Sequence, residues 1–211
     1  QLGGTLRFAA LVYEPNERLL DWLETQTRKL GVDIRLNTEV TAQRIREINP
    51  DEILVAAGAS RAKPDWPGIN RDHVFDGDDL RALLTGQGDQ QAAKKLSLLG
   101  RVAVQAGRVT GITTSPARLR EASRAYMPVG KKVLVVGGGL VGLELAEFLA
   151  ERGRQVTVLE EGPKFGLEMA HPRRWRVLDD LRNHGVELIA HARVRSIGEK
   201  AVEYEVGGGE A

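Results

Sequence analysis

The 211-residue chain contains no cysteine. Within these residues that excludes a disulfide framework, a redox-active dithiol, a thiolate-bound iron–sulfur cluster and a cysteine nucleophile. No apolar run approaches the roughly 18 residues a membrane span requires, and no signal-like segment opens the chain. A cytoplasmic setting with no membrane partner is therefore expected. The four histidines, His73, His171, His184 and His191, show no metal-ligand spacing, so no metal site is expected. A net charge of +1 makes no electrostatic case for a nucleic-acid partner. An initiator methionine is also missing. The chain opens on Gln1-Leu2-Gly3-Gly4 and runs out through Gly207-Gly208-Gly209, which reads as a piece of a longer polypeptide. What is present, 42% hydrophobic and 28% charged residues, is ordinary for a globular protein with a real core.

The most informative stretch is KKVLVVGGGLVGLELAEFLAERGRQVTVLEEG, residues 131–162. Val133 to Val136 form the short apolar run of a strand buried on both faces. Gly137, Gly139 and Gly142 follow in G-x-G-x-x-G spacing. An apolar-periodic helix comes next, carrying Leu140, Leu143, Phe148 and Leu149 and ended by Gly153. Gln155 to Leu159 make a second strand that finishes on Glu160, 18 residues past the last glycine. A lone glycine triplet is weak evidence. Here strand, turn, helix, strand and acid all stand in order.

Each part has a physical task in dinucleotide binding. Gly137 permits the tight turn, Gly139 lets a diphosphate approach the backbone, and Gly142 lets the helix lie close to the sheet. The N–H groups of Gly138, Gly139, Leu140 and Val141, with the positive end of the helix dipole, favour an anion. Glu160 stands where a carboxylate accepts hydrogen bonds from a ribose diol, with Glu161 beside it. The competing reading is a glycine turn in some other α/β protein, with Glu160 a solvated strand end.

Elsewhere the signals are local. Gly3 and Gly4 open a loop through Ala9 and Ala10 that reaches a helix start at Pro15 or Asn16. Leu19, Trp22, Leu23 and Leu30 then fall near helical spacing, with Gly31 as the stop. Val32–Leu36 reads as a strand, Thr41–Ile48 as a helix broken at Asn49-Pro50, and Ile53–Ala57 as a buried strand closed by Gly58. Trp22 and Trp66 read as packing residues in preference to stacking platforms. Pro64 and Pro67-Gly68 mark a boundary loop, and Asp76–Leu84 a short helix. Between Gln90 and Lys132 stand nine basic residues, opposed only by Glu121. This stripe reads as the solvated face of a connector before a phosphate or acidic-partner contact. Ser115-Pro116 caps a helix carrying Leu119, Ala122 and Tyr126. His171-Pro172 opens another, with Trp175, Leu178 and Leu181 inward; its Arg173, Arg174 and Arg176 read as solvated charges. Val186–Ile189 forms a third strand, and Ala192–Ile197 with Ala201–Val206 a meander.

The central run resembles the NAD(H)-binding domain of flavoprotein pyridine-nucleotide oxidoreductases. LGGTLRFAA, GVDIRLNTEVT, ILVAAGAS and MAHPRRWRVL are similar to the C-terminal half of NADH:flavin oxidoreductases, the group of 2-enoate reductase, 2,4-dienoyl-CoA reductase and trimethylamine dehydrogenase. The long basic connector looks most like the 2-enoate reductase branch. The resemblance implies an α/β, FAD/NAD(P)-binding Rossmann-like fold (parallel sheet, ββα three-layer), here a truncated two-dinucleotide module. It implies a partial FAD-binding domain over residues 1–75, a basic connector over 76–130 and an NAD(H)-binding domain over 131–211. Val40 would lie by the FAD adenosine, and Ala57 and Gly58 near its diphosphate. Glu144 matches the G-x-G-x-x-G-x-E of the family and would sit beside the nicotinamide; the competing reading is a helix-face charge. NAD(H) and FAD are the implied cofactors, with FMN and an iron–sulfur cluster in parts outside this chain. The partners would be an N-terminal barrel and the rest of the FAD domain in the same polypeptide. The intact parent would pass hydride from NADH to FAD and reduce an activated C=C, while this piece alone would be inactive. An alternative is a nucleotide-holding module without turnover, binding ADP structurally. A Rossmann enzyme using another adenosine cofactor is a third.

Overall fold

The computed structural model describes residues 2–58, 63–80, 95, 105–107, 115–127 and 129–207. In chain order these give helices α1 (Gly4–Val12), α2 (Pro15–Lys29), α3 (Ala42–Ile48) and α4 (Pro116–Ala125). Strand β1 (Lys132–Val136), α5 (Leu140–Ala150), β2 (Gln155–Leu159), α6 (His171–Asn183), β3 (Glu187–Ile189), β4 (Ala192–Ile197) and β5 (Val202–Val206) follow.

Strands β1, β2 and β3 lie side by side in that order, all parallel, with Val135 opposite Val158 and Val158 opposite Leu188. Parallel strands need coverage on both faces, and the alternation of side chains supplies two apolar surfaces. One face carries Val135, Val156 and Val158 against Leu143, Ala146 and Phe148 of α5 and Val177 and Leu181 of α6. The other carries Leu134, Leu159 and Ile189 against Ala192, Val194 and Ile197 of the antiparallel β4–β5 pair. Helices, parallel sheet and hairpin make the three layers of an α/β fold. Trp66, Ile69 and Val74 close the hairpin side. Gly68 is required there, since a Cβ on it would lie 1.9 Å from Ile197 O. Truncating a buried Leu143 or Leu181 in such a core costs about 2–5 kcal/mol.

The stretch around Ala9 and Ala10 is helix α1, not the loop expected from its glycines. Phe8, Leu11 and Val12 recur at helical spacing and pack into the same core as α5, and that burial outweighs the weak local start. Helix α2 begins at Pro15 as expected, and Thr41 and Ser115 cap α3 and α4 through their side chains. Arg152, 7% exposed, joins α4 to α5: it donates to Ser123 Oγ at 2.7 Å and to Phe148 O at 2.7 Å, and stacks on the Phe148 ring. Of the basic stripe, Arg120 pairs with Glu17 and Lys95 with Asp79. Lys94, Arg101 and Arg108 lie outside the described residues, as does the end of the Asp76–Leu84 helix.

Further expectations fail, among them the packing role of Trp22, which is 58% exposed. Val32–Leu36 and Ile53–Ala57 form no strand, and Leu54 is 94% exposed. A strand exists only where neighbouring backbone accepts its hydrogen bonds, and none of the described strands stands beside these two segments. Trp175 is 71% exposed, because the buried stripe of α6 runs through Val177 and Leu181. Among the described residues no helix is long and apolar enough to cross a membrane.

Candidate dinucleotide site

The end of β1 turns at Gly137, whose φ of 109° lies in the left-handed region, and its N–H donates to Leu159 O at 2.8 Å. The chain then enters α5 with Gly139 as the N-cap residue, so no side chain of the cap itself satisfies the first amides. Gly142 fixes how closely α5 lies on the turn: a Cβ there would sit 1.9 Å from Gly137 O. The parallel register of β1 and β2 brings Glu160 beside this turn. Its Oε2 accepts from Gly138 N–H at 2.7 Å and its Oε1 from Gly162 N–H at 2.7 Å. Glu161 points elsewhere, to Arg193 Nε at 3.4 Å on an exposed surface. Val141 is exposed on the first turn of α5.

The loop after Glu160 folds back over the glycines. Gly166 N–H donates to Gly138 O at 2.7 Å, and Arg174 Nε holds Phe165 O at 2.6 Å. The Phe165 ring occupies the space beside Gly138, 2.4 Å from where a Cβ would stand. Glu168 reaches the helix start itself: its Oε1 accepts from Leu140 N–H at 2.7 Å and lies 2.3 Å from a Cβ built on Gly139. Its own backbone N–H and that of Leu140 hold its carboxyl below the usual glutamate range. An anionic oxygen therefore fits at the N-terminus of α5, where Gly139 leaves room for one. The donor set suits a diphosphate. Neither Phe165 nor Glu168 carries a sequence signal of its own, since both sit in an irregular loop and act only through folding.

Glu144 lies on α5 with Arg173 Nη2 3.6 Å from its Oε1. The same Nη2 stands 3.2 Å from Glu147 Oε2, and the guanidinium stacks on the Tyr13 ring at 4.0 Å. Burial pushes the Glu144 carboxyl up, and Arg173 pulls it partly back. Arg173 is thus committed to an ion-pair cluster joining α5 and α6 next to α1. Lys164 is exposed and has no partner among the described residues. Val40, Ala57 and Gly58 are exposed and belong to neither apolar cluster, so they build no cradle among the described residues.

Residues 41–211 match the family described as pyridine nucleotide-disulphide oxidoreductase, and the chain belongs to it. It is accordingly a pyridine-nucleotide-binding redox module of a flavoprotein oxidoreductase class whose members bind NAD(H) and FAD. It is similar to bilirubin reductase of Mediterraneibacter gnavus, 31% identical over 97% of this chain and 26% of that protein. Similarity to cinnamate reductase of Clostridium sporogenes is 27% identity over 70% of this chain and 16% of that protein. The chain thus spans about a quarter or less of the length of these relatives. A 2-naphthoyl-CoA reductase structure, solved with 2-naphthoyl-CoA, superposes on the whole chain with a TM-score of 0.71 at 21% identity, over 26% of its own length. That likeness is one of fold.

Proposed function

We propose that this chain is the NAD(H)-holding part of a flavin-dependent oxidoreductase of the 2-enoate and dienoyl-CoA reductase kind, in which hydride passes from NADH to FAD. The observation that carries the reading is the convergence of Glu160 with the α5 N-terminus, held together by the 2.7 Å Gly138–Glu160 bond. In this reading the amides of Gly139, Leu140 and Val141 hold the diphosphate, the Gly138 N–H expected to join them stays with Glu160, and Gly137 and Gly142 shape the turn. Glu160, with Glu161 next to it, receives the adenosine ribose hydroxyls. When bound, NADH supplies the hydride and the flavin accepts it; the protein positions the two rings. Glu144, tied to Arg173, lies on the second turn of α5 and holds charge near the nicotinamide side.

The intact parent reduces an activated C=C such as an enoate or dienoyl-CoA, a reading the likeness to a cinnamate reductase supports. Residues 1–75 then belong to an FAD domain, 76–130 to a connector and 131–211 to the NAD(H) domain. Val40, Ala57 and Gly58 contact FAD only once the rest of that domain and the barrel, with FMN and an iron–sulfur cluster, are in place. The exposed Val32, Ile53, Leu54 and Val55 support this, because an apolar run with no strand partner among the described residues is what a sheet lacking its other strands leaves.

Titration of the 211-residue chain with NADH and ADP-ribose tests the binding reading. Saturable binding of both, weakened in Glu160→Ala, is expected; no binding of either overturns it. In the full-length polypeptide, bound nucleotide without flavin reduction would instead mark a nucleotide-holding module.

A further inference from the structure

We propose that Glu168 is a built-in competitor for the dinucleotide diphosphate: its carboxylate occupies the α5 N-terminus until the cofactor displaces it. This rests on the reading of that helix start as the diphosphate site. The two anions claim the same atoms. Glu168 Oε1 takes the Leu140 N–H at 2.7 Å, and the carboxylate covers Gly139, the residue whose bare α-carbon leaves room for a phosphate.

Co-occupancy is unfavourable on two counts. The free amides at a helix start are few, so an amide bonded to Glu168 is lost to the ligand. Two anions drawn to the same helix start also repel each other. One must leave.

The local architecture lets the side chain move while the loop stays. Gly166 is pinned to Gly138 O, Phe165 O is held by Arg174, and Met169 is buried, so the backbone on both sides of Glu168 is anchored. Glu168 itself is exposed, and rotation about its side-chain bonds carries the carboxylate into water. The helix has no side-chain cap of its own and no acid in its first turn, so Glu168 supplies the missing acceptor from 28 residues away. The device keeps the site satisfied when empty and lowers affinity when a diphosphate arrives. Adenosine, which has no phosphate, does not meet it.

Calorimetric titration of wild type, Glu168→Gln and Glu168→Ala with NADH, ADP-ribose and adenosine tests this. NADH and ADP-ribose should each bind about 3- to 30-fold tighter to both variants, the range of a charge-assisted cap removed from competition, with adenosine unchanged. Exchange of the Leu140 amide should speed up in the unliganded variants and slow again on adding NADH. If wild type binds NADH and both variants bind it equally or more weakly, Glu168 is a helix cap and the proposal is wrong. A fall in thermal midpoint with unchanged affinity says the same. Binding by the variants but not by wild type supports the proposal. Absence of binding to all three proteins removes the diphosphate site and this inference together.

Discussion

Arg173 Nη2 lies 3.2 Å from Glu147 and 3.6 Å from Glu144, so one guanidinium from α6 serves two half-buried carboxylates of α5. Removing it leaves both acids desolvated and unpaired. Arg173→Ala should therefore lower unfolding free energy by about 1–3 kcal/mol, the cost of stranding a buried polar partner. Urea unfolding of the variant checks this, and Arg173→Lys should recover part of the loss. Equal stability of wild type and Arg173→Ala would show the cluster to be energetically idle.

Two glycines of the same motif should fail in different ways. In Gly142→Ala the new Cβ meets Gly137 O at 1.9 Å, which is backbone and cannot step aside, so the protein should lose about 1–3 kcal/mol or more. In Gly139→Ala the Cβ meets only the Glu168 carboxylate, a movable side chain. That variant should keep its thermal midpoint within a few degrees and lose NADH binding. Paired melting and titration experiments separate the two roles.

Cofactor choice follows from Glu160. A carboxylate at the end of β2 accepts from a ribose 2′-hydroxyl and repels a 2′-phosphate. NADH should bind more tightly than NADPH by about 1–3 kcal/mol. Glu160→Ala should weaken NADH and narrow the gap. Equal affinity of wild type for the two cofactors would make the acid a structural clasp for Gly138 and Gly162 alone.

The acids near the helix start give opposite pH signatures. Glu168 is held below the ordinary glutamate value of 4.5 by backbone donors, so its contribution to stability is present above that pH and lost as pH falls through its folded value. Glu144 is raised by burial, and its term has the other sign: it favours the folded state below 4.5 and is lost as pH rises through the folded value. The thermal-midpoint deficit of Glu168→Gln should be full at neutral pH and shrink on acidification below 4.5. Glu144→Gln should gain on wild type as pH rises. Melting curves from pH 3 to 8 (chosen to span the usual carboxylate range) distinguish the two.

The purified chain should be colourless. Val40, Ala57 and Gly58 are exposed and form no cradle for a flavin nucleotide among the described residues. A flavin absorbance band at near-unit stoichiometry would show that these residues suffice for binding.

Much of this protein is written locally. The run from Val133 to Glu160 states its strand, turn, helix and second strand through side-chain period and through glycines placed where backbone conformation or contact demands them. Such signals depend on neighbours within a few residues, and so they survive in a one-dimensional reading. Sequence pattern also placed α2, α3 and α4 by their proline and hydroxyl starts. Tertiary structure decided the rest. Burial against α5 made α1 a helix, while none of the described strands pairs with Ile53, Leu54 and Val55, which are exposed despite their strand-like composition. Arg173 reads as a solvated charge in sequence and became the partner of two acids only when α6 packed on α5. Glu168 reached Leu140 from 28 residues away because Gly166 turned its loop back onto the glycines. Local geometry is set by adjacent bonds, but which charge meets which amide depends on how distant elements pack.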